Sequence, residues 1–402
     1  MRIRPVFLFF LLISSAIHQS TQSGTILSAR GIGTPFLFPN TRSMGMGYIS
    51  VAEINPFTIS RINPAGLYFN SLTSLSLQYV YENNRYQDPK GRANSQYSNF
   101  DGFTFVLPFG SGTGMSIGLT PFTRVDYQLT FPTVSVSNVS YTKSVKGEGG
   151  LNNFYFSFFW GVRSNLVLGF SGHYLFGNTE EKWRVDYEGA YFLPSINTFS
   201  TKNWGLGCTG GVIYRPFSFL SVGAIFTPQT NLKNHEEFTF ASYTDTTKNR
   251  KGTLTLPSSW GVGTSFYLGE IGQIGIEWNQ TEWRKLAMDD QPFEATRNTH
   301  CISIGGEIRL TTNPLASYLK RMAYRFGFSY QPYYYRDPNR NTLNEQWITI
   351  GFGLPLLLNI GQCDIALNFG RRGSIEVNGL AEKLFRLSIS LTGYEKWFIR
   401  RY

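Results

Sequence analysis

From residue 73 onward, large apolar side chains alternate with small or polar ones along segments of roughly 10 to 15 residues. Phe154, Phe156 and Phe158, for example, occupy every second position of one segment. Successive side chains of a β-strand point to opposite faces, so a period of two gives each strand one apolar and one polar face. The pattern predicts an all-β protein.

The composition of the polar face indicates where the strands lie. Arg325 and Gly327 stand between Tyr324, Phe326 and Phe328, and other segments place Gly, Ser, Thr, Asn or Gln at these positions. A soluble sandwich would instead carry many Lys and Glu side chains on its solvent face. A barrel that faces lipid outside and a polar lumen inside accounts for the pattern.

Fourteen such segments can be counted, which predicts a transmembrane antiparallel β-barrel of about 14 strands. They lie at 73–82, 99–108, 113–126, 149–162, 165–180, 201–215, 219–230, 254–267, 271–285, 298–310, 322–334, 343–355, 362–371 and 382–393. Tight links alternate with long polar stretches at 83–98, 127–148, 181–200, 231–253 and 286–297. This is the pattern of periplasmic turns and extracellular loops, although it becomes less regular after residue 310.

Composition supports a membrane barrel. Charged residues make up 15% of the chain and aromatic residues 16%, while the mean hydropathy is only −0.17. After Ile13 no apolar run approaches the 18 residues that suggest a membrane-spanning helix. The tryptophans near segment ends, including Trp204, Trp260, Trp283 and Trp347, are expected in the aromatic belts at the membrane surfaces.

The N-terminus predicts export. Arg2 and Arg4 precede the apolar run at 5–13, and small residues follow at 14–16. This arrangement is typical of a secretory signal peptide, predicted at 1–20, with a signal anchor as the alternative. The chain is therefore expected in the outer membrane of a Gram-negative-type bacterium.

The cysteines and the net charge exclude several functions. Cys208, Cys301 and Cys363 are isolated, so neither a disulfide framework nor a metal site is predicted, and no cofactor is expected. The net charge of +10 is dispersed along the chain. A cationic lumen, or loops that face anionic lipopolysaccharide, explains this charge better than nucleic-acid binding.

Residues 21–72 lack the strand pattern and are rich in Gly, Asn and Pro. They form either a disordered periplasmic tail or a plug within the lumen. A barrel of about 14 strands is too wide for its own side chains to fill, which favours a plug. We therefore expect a hatch at 21–72 and a barrel with a short C-terminal tail at 73–402.

The hatch region resembles a known family. The segments Arg42-Ser-Met-Gly-Met-Gly47, Ile54-Asn-Pro-Phe57 and Asn63-Pro64-Ala65-Gly66 resemble the N-terminal hatch of the FadL/TodX long-chain fatty-acid and hydrocarbon transporters. The resemblance implies a 14-stranded barrel, plugged by its hatch, that passes hydrophobic molecules sideways into the membrane. PorV-type barrels, which act as docking partners in protein secretion, share this architecture.

Pro121 is a candidate for the sideways exit. Proline lacks the N–H group that a central strand needs, yet Pro121 falls within the third segment. The resemblance implies a lateral opening at a kink in the third strand. We therefore expect Pro121 to interrupt pairing there, with a position above the membrane as the alternative.

Several charged residues are expected on the lumen face. They would form an ion-pair lattice that holds the hatch or narrows the pore, although an arginine could instead bind a carboxylate ligand. The candidates are Glu277, Glu307, Arg309, Arg325, Asp364 and Arg386.

An enzyme is not predicted. Ser171 and His173 have the spacing of the His/Ser pair of barrel phospholipases but in reverse order, and no third group is identifiable. His173 is expected to be hydrogen-bonded in a polar lumen.

Two functions remain. The first is a hatch-gated channel for passive uptake of hydrophobic molecules such as long-chain fatty acids. The alternative is a PorV-like docking or assembly partner in protein secretion. The expected partners are a hydrophobic small-molecule ligand, outer-membrane lipid, lipopolysaccharide and the barrel-assembly machinery.

Overall fold

The computed structural model describes residues 25–36, 39–89, 91–110, 112–136, 139–188, 193–240, 246–269, 271–337, 339–356 and 361–395. The predicted signal peptide at 1–20 lies outside the described residues. Within these ranges, no helix has both the length and the apolar character needed to cross a membrane.

Most of the described chain is β-strand. The strands are β1 (Thr34–Pro35), β2 (Thr73–Gln87), β3 (Arg92–Gly110), β4 (Thr113–Pro121), β5 (Thr123–Thr130), β6 (Val134–Val136), β7 (Val139–Arg163), β8 (Leu166–Tyr187), β9 (Ser195–Phe217), β10 (Leu220–Thr227), β11 (Thr230–Phe240), β12 (Thr246–Leu256), β13 (Ser259–Leu268), β14 (Gly272–Thr281), β15 (Ala287–Met288), β16 (Gln291–Pro292), β17 (Thr299–Arg309), β18 (Ala323–Arg336), β19 (Thr342–Pro355), β20 (Gly361–Ser374) and β21 (Leu380–Glu395). Short α-helices lie at Thr41–Gly45, Tyr318–Arg321 and Ile375–Asn378, and 3₁₀ helices at Ile26–Ala29, Pro64–Phe69 and Trp283–Lys285.

The strands form a closed barrel, because β21 pairs with β2 along its whole length. Prolines interrupt three strands of the wall: Pro121 ends β4 before β5, Pro228 separates β10 from β11, and Pro257 separates β12 from β13. When each interrupted strand is counted once, the wall has the 14 antiparallel strands predicted from the sequence. The prediction of a transmembrane-type barrel with a hatch in its lumen is confirmed.

The two faces of the wall are also as predicted. Phe156, Phe170 and Ile276 on the outer face are each half-exposed, which suits contact with lipid. On the inner face the Ser157 and Ser171 hydroxyls are buried and lie 2.6 Å apart. The outer side chains are thus apolar because they face lipid, while hydrogen bonds satisfy the polar groups of the inner side chains.

The tight turns at 164–165 and 218–219 lie at the same end of the barrel as the first residue of β2 and the last residue of β21. In outer-membrane barrels this is the periplasmic end, so the long hairpins face the exterior. The link at 310–322, long for a periplasmic turn, contains the helix Tyr318–Arg321.

The prediction of long extracellular loops was wrong, because much of 127–148, 181–200 and 231–253 is strand. β7 has 25 residues and β8 has 22, whereas about 9–11 residues cross a membrane. These hairpins therefore extend the wall beyond the bilayer. The sequence hid these extensions because runs of polar residues, such as Glu180, Glu181 and Lys182 on β8, interrupt the period of two.

Trp283 and Trp347 were wrongly predicted to lie in interfacial belts. Both are buried, with 5% and 1% of their surfaces exposed. Trp347 shares the inward face of β19 with Thr349, which is also buried. Its indole N–H donates to a carboxylate oxygen of Glu345 at 2.5 Å, which satisfies the polar end of the ring in the lumen.

Candidate functional site: the lumen and its hatch

The segment that precedes β2 packs inside the barrel. Met44, Met46 and Val51 have no exposed surface, and Ile49 has 1%. The hatch lies directly against the wall at six inward-facing glycines, here called the wall glycines. A Cβ atom on any of them would overlap the hatch, and they are Gly169, Gly211, Gly223, Gly305, Gly327 and Gly351.

The predicted hatch motif forms the turn that begins the Pro64–Phe69 helix. Asn63 caps this helix: its side-chain oxygen accepts from the Ala65 N–H at 3.0 Å. The Asn63 amide group donates to the Val51 carbonyl at 2.6 Å and, on the wall, to the Val212 carbonyl at 3.2 Å. Pro64 occupies the first helical turn, where its missing N–H costs nothing.

Gly66 of the same motif lies close to the hatch segment before it. A Cβ atom on Gly66 would stand 2.8 Å from the Cβ of Ser60, whose hydroxyl donates to the Asn63 carbonyl at 2.9 Å. Ala65 is fully buried. The four motif residues therefore join two hatch segments to the wall.

A buried network of ion pairs, here called the central network, links the hatch to three strands. Arg42 of the hatch pairs with Glu53 and, at 2.8 Å, with Glu307 on β17. Arg325 on β18 pairs with the same oxygen of Glu307 at 2.6 Å and with Asp364 on β20 at 2.7 Å. Removing one member of such a network leaves a partner charge buried without compensation.

A second network lies nearer the extracellular end. Glu82 on β2 accepts from Arg386 at 2.7 Å and from Arg124 at 3.1 Å. Arg386 also donates to the hydroxyl of Tyr48 in the hatch at 2.6 Å, and its guanidinium lies 4.5 Å from the centre of the Trp347 ring. This network connects the hatch with the first, third and last strands of the wall.

The structure distributes the six predicted lumen charges over different environments. Glu307, Arg325 and Asp364 belong to the central network, and Arg386 belongs to the second network. Glu277 binds the hatch backbone, accepting from the N–H groups of Ser50 and Val51 at 2.6 and 2.7 Å. Arg309 is partly buried, and its Nε has no hydrogen-bond partner among the described residues.

The wall has a gap beside Pro121. The ladder between β3 and β4 ends at the pair Phe103–Leu119, and no further pair among the described residues joins β3 to β5. On its other edge, β3 stays paired with β2 through residues 92–100. The gap therefore lies between the extracellular half of β3 and β5, directly after the proline.

The start of the hatch fills this gap. Thr34 and Pro35 form β1, which pairs with Arg124 and Thr123 of β5. The next residue, Phe36, donates its N–H to the Phe122 carbonyl at 2.8 Å. The edge of β5 that faces the gap is thus covered by the hatch rather than by a wall strand.

Side chains cross the gap between β3 and β5, where backbone pairing is missing. The Arg124 guanidinium on β5 lies 3.7 Å from the ring centre of Tyr97 on β3 and 5.2 Å from that of Phe36. The two rings are 6.3 Å apart, edge to face. Cation–π contacts of this kind contribute about 0.5–2 kcal/mol each, less than a backbone ladder would.

An apolar cluster occupies the extracellular half of the lumen. Among the described residues of the hatch, Ile32 belongs to this cluster and Leu27 packs at its edge. The wall, the 3₁₀ helix Trp283–Lys285 and neighbouring loop residues provide Leu151, Leu175, Leu232, Leu254, Leu256, Trp283, Leu286, Tyr333, Tyr334, Tyr335 and Leu343, and Phe122 packs against them. Phe122 also borders the gap, since its carbonyl accepts from the Phe36 N–H at 2.8 Å. The cluster and the gap are therefore contiguous.

Three consecutive tyrosines of this cluster lie against the hatch. The ladder between β18 and β19 shifts register between Pro332 and Arg336, so Tyr333, Tyr334 and Tyr335 are all buried. The Tyr334 hydroxyl donates to the Gly33 carbonyl at 2.5 Å, and that of Tyr333 to the Leu27 carbonyl at 3.2 Å. The period of two did not predict this feature, although Pro332 and the three tyrosines after it are a break in that period.

His173 is hydrogen-bonded, as its polar surroundings suggested. Its Nδ1 lies 3.2 Å from Asn153 Oδ1 and its Nε2 lies 2.8 Å from the Thr209 hydroxyl. Ser171 is hydrogen-bonded to Ser157 rather than to His173. This arrangement does not form a nucleophile and base pair.

Comparison with known proteins adds a family. The model of the BamG family matches residues 2–402. The chain belongs to the BamG family. No curated protein matches it significantly.

Solved structures with the fold of this BamG-family barrel include transporters. A FadL homologue from Pseudomonas aeruginosa is 13% identical with a TM-score of 0.60, covering 90% of this chain and 99% of the homologue. The toluene transporter TodX from Pseudomonas putida is 12% identical with a TM-score of 0.58, covering 92% and 100%. The toluene transporter TbuX from Ralstonia pickettii is 15% identical with a TM-score of 0.56, covering 88% and 97%. The predicted resemblance to FadL/TodX barrels is confirmed at the level of the fold.

Proposed function

We propose that this BamG-family barrel is a gated outer-membrane channel for small apolar molecules, such as fatty acids or monoaromatic hydrocarbons. The observation that carries the proposal is the contiguity of the apolar cluster with the gap beside Pro121. One short segment, residues 25–36, occupies both. Its displacement would leave an apolar passage from the extracellular half of the lumen to the lipid.

The contacts of the hatch support movement of this segment alone. Residues 25–36 are attached to the wall by neutral or singly charged hydrogen bonds, such as Tyr333 to Leu27 and Ser28 to the Asp126 carbonyl. Each neutral hydrogen bond contributes about 0.5–1.5 kcal/mol, and one to a charged group about 1.5–3 kcal/mol. Arg42 and the hatch residues after it are held by buried ion pairs and the wall glycines. The first part of the hatch is therefore the gate, and the rest is a fixed plug.

The lateral route avoids the central network. A straight path to the periplasm would carry an apolar solute past the central network, where Arg42 and Arg325 have 1% exposure or less. An apolar molecule gains nothing from that environment and would disrupt its pairing. Exit through the gap needs residues 25–36 to leave the edge of β5 and Tyr97 to move away from Arg124.

A disulfide between the hatch and β5 tests whether residues 25–36 form the gate. Pro35 and Thr123 are register partners, and such Cα pairs lie within the range that a disulfide bridges. We expect Pro35→Cys with Thr123→Cys, in a background with serine at Cys208, Cys301 and Cys363, to abolish uptake of labelled oleate or toluene. A deletion strain carrying this variant should take up no more than the strain without the gene.

Reduction provides the control, since dithiothreitol should restore uptake by the double variant. The two single-cysteine variants should be active in either condition. Undiminished uptake by the oxidised variant, with the disulfide verified by mass spectrometry, would refute a gate at this position.

Pro121 gives an independent test of the exit. Valine restores the N–H group that a continuous ladder requires and suits a strand. We expect Pro121→Val to extend the pairing of β3 with the third strand and to reduce uptake. Pro228→Val, at an interruption on another part of the wall, is the matched control and should leave uptake unchanged. Equal uptake by both variants would place the exit elsewhere.

A docking or assembly role in the outer membrane is the second candidate. It is favoured by the firm attachment of the fixed plug, because the two ion-pair networks suit a permanently closed scaffold. The disulfide-locked barrel distinguishes the two functions. A scaffold should rescue the phenotype of a deletion strain when locked, whereas a channel should not.

A further inference from the structure

A polar cavity lies on the extracellular rim, outside the lumen. Its volume is about 340 Å³, and its lining consists of Arg284, Arg297, Asn298, His300, Arg336 and Thr342. These residues come from the loop after β14, from the start of β17 and from the hairpin between β18 and β19. Three guanidinium groups and an imidazole therefore face one space.

The positive charge of this rim cavity is not neutralised within the described residues. Arg284, Arg297 and Arg336 take part in no ion pair there. Two acidic residues of the loop have other partners: Glu282 pairs with Lys285, and Asp289 pairs with Arg250. The cavity thus has an excess of positive charge within a few ångströms.

The cavity is also held in shape. Arg297 Nη1 donates to the Thr342 hydroxyl at 2.6 Å, which fixes the loop to the β18–β19 hairpin. The backbone N–H of Arg284 donates to Asn298 Oδ1 at 3.1 Å. Burial, followed by the proximity of Arg336, lowers the pKa of Arg297, as expected where like charges are held together. A bound anion would relieve this repulsion.

We propose that the rim cavity binds a phosphate monoester. A guanidinium group presents two parallel N–H donors that match the oxygens of a phosphate, and three such groups can surround one dianion. Asn298 and Thr342 add polar atoms to the lining. Neither the channel nor the docking function depends on this site.

Its position favours a phosphate carried by a lipid. His300 stacks on Trp278 with ring centres 5.8 Å apart, and Trp278 contacts Trp260 at 4.4 Å. These rings form part of the outer aromatic belt, on the same strand faces as the exposed Ile276 and Ile302. The cavity stands immediately above that belt. Phosphate groups on the glycolipid of the outer leaflet lie at this level.

The test is binding of bisphosphorylated lipid A to the purified barrel in a neutral detergent. We expect Arg297→Gln with Arg336→Gln to weaken binding by roughly ten- to a hundredfold, the value of losing charge-assisted hydrogen bonds. Lys285→Gln removes a positive charge from the same loop outside the cavity, and its affinity should match wild type. Heat stability of each variant confirms that the barrel is folded.

Two further ligands identify the source of the phosphate. Lipid A stripped of both phosphates should bind no better to wild type than to the double variant. Inorganic phosphate should compete only at much higher concentration than lipid A. Equal affinity for inorganic phosphate would overturn the lipid assignment, and equal binding of lipid A by the double variant and wild type would overturn the site itself.

Discussion

Replacing Arg325 with leucine should lower the free energy of unfolding by about 3–5 kcal/mol. The side chain is fully buried and pairs with Glu307 at 2.6 Å and with Asp364 at 2.7 Å. Leucine would leave both carboxylates in the lumen with a lost partner, although Glu307 keeps Arg42. Urea unfolding of the barrel in lipid vesicles, followed by tryptophan fluorescence, measures the loss.

A surface arginine is the appropriate control. Arg184 pairs with Asp186 on the extracellular hairpin at 2.8 Å, and both side chains are about half exposed. Arg184→Leu should leave the urea unfolding curve close to that of wild type, because solvent-exposed ion pairs contribute little to stability. Adding Asp364→Asn to Arg325→Leu should recover part of the loss, because one uncompensated charge is removed. Equal effects at Arg325 and Arg184 would show that the central network contributes nothing to stability.

The central network also shows how far the sequence alone could lead. The period of two placed Arg325 and Glu307 in the lumen, and they are direct register partners on β18 and β17. Neighbouring strands with known inward faces make such a pair predictable. Arg42 is different, because 265 residues separate it from Glu307. Its pairing depends on the path of the hatch, which has no period that a sequence reveals.

The wall was predictable because lipid imposes one rule on every strand that crosses it. Above the membrane that rule ends, so the extended parts of β7 and β8 were interpreted as loops. On the lumen face, a residue can be small for either of two reasons: it lies in close contact with the hatch, or it makes a hydrogen bond within the wall. Gly327 and Ser329 share an inward face, yet Gly327 lies against the hatch backbone at Gly47 whereas the Ser329 hydroxyl accepts from the Ser303 hydroxyl on the wall at 3.1 Å. The sequence shows a polar face, whereas the structure separates contact positions from hydrogen-bonding ones.

Two adjacent glycines on β9 provide a matched test of that distinction. A Cβ on Gly211 would overlap the Asn63 side chain and stand 2.8 Å from Pro64 Cδ, whereas a Cβ on Gly210 would have no neighbour within 4 Å. Asn63 has no exposed surface, and its hydrogen bonds to Ala65, Val51 and the wall fix its side chain. The Asn63 side chain cannot move aside without losing these hydrogen bonds.

Gly211→Val should therefore loosen the fixed plug, while Gly210→Val should not. Valine suits a strand at either position, so any difference comes from the hatch. We expect Gly211→Val to lower the free energy of unfolding by about 1–3 kcal/mol, typical of overpacking. In planar bilayers it should also show current fluctuations that wild type and Gly210→Val lack, because a displaced plug opens the lumen to water. Silent bilayers and equal stabilities for both variants would mean that the hatch does not depend on close contact with the wall glycines.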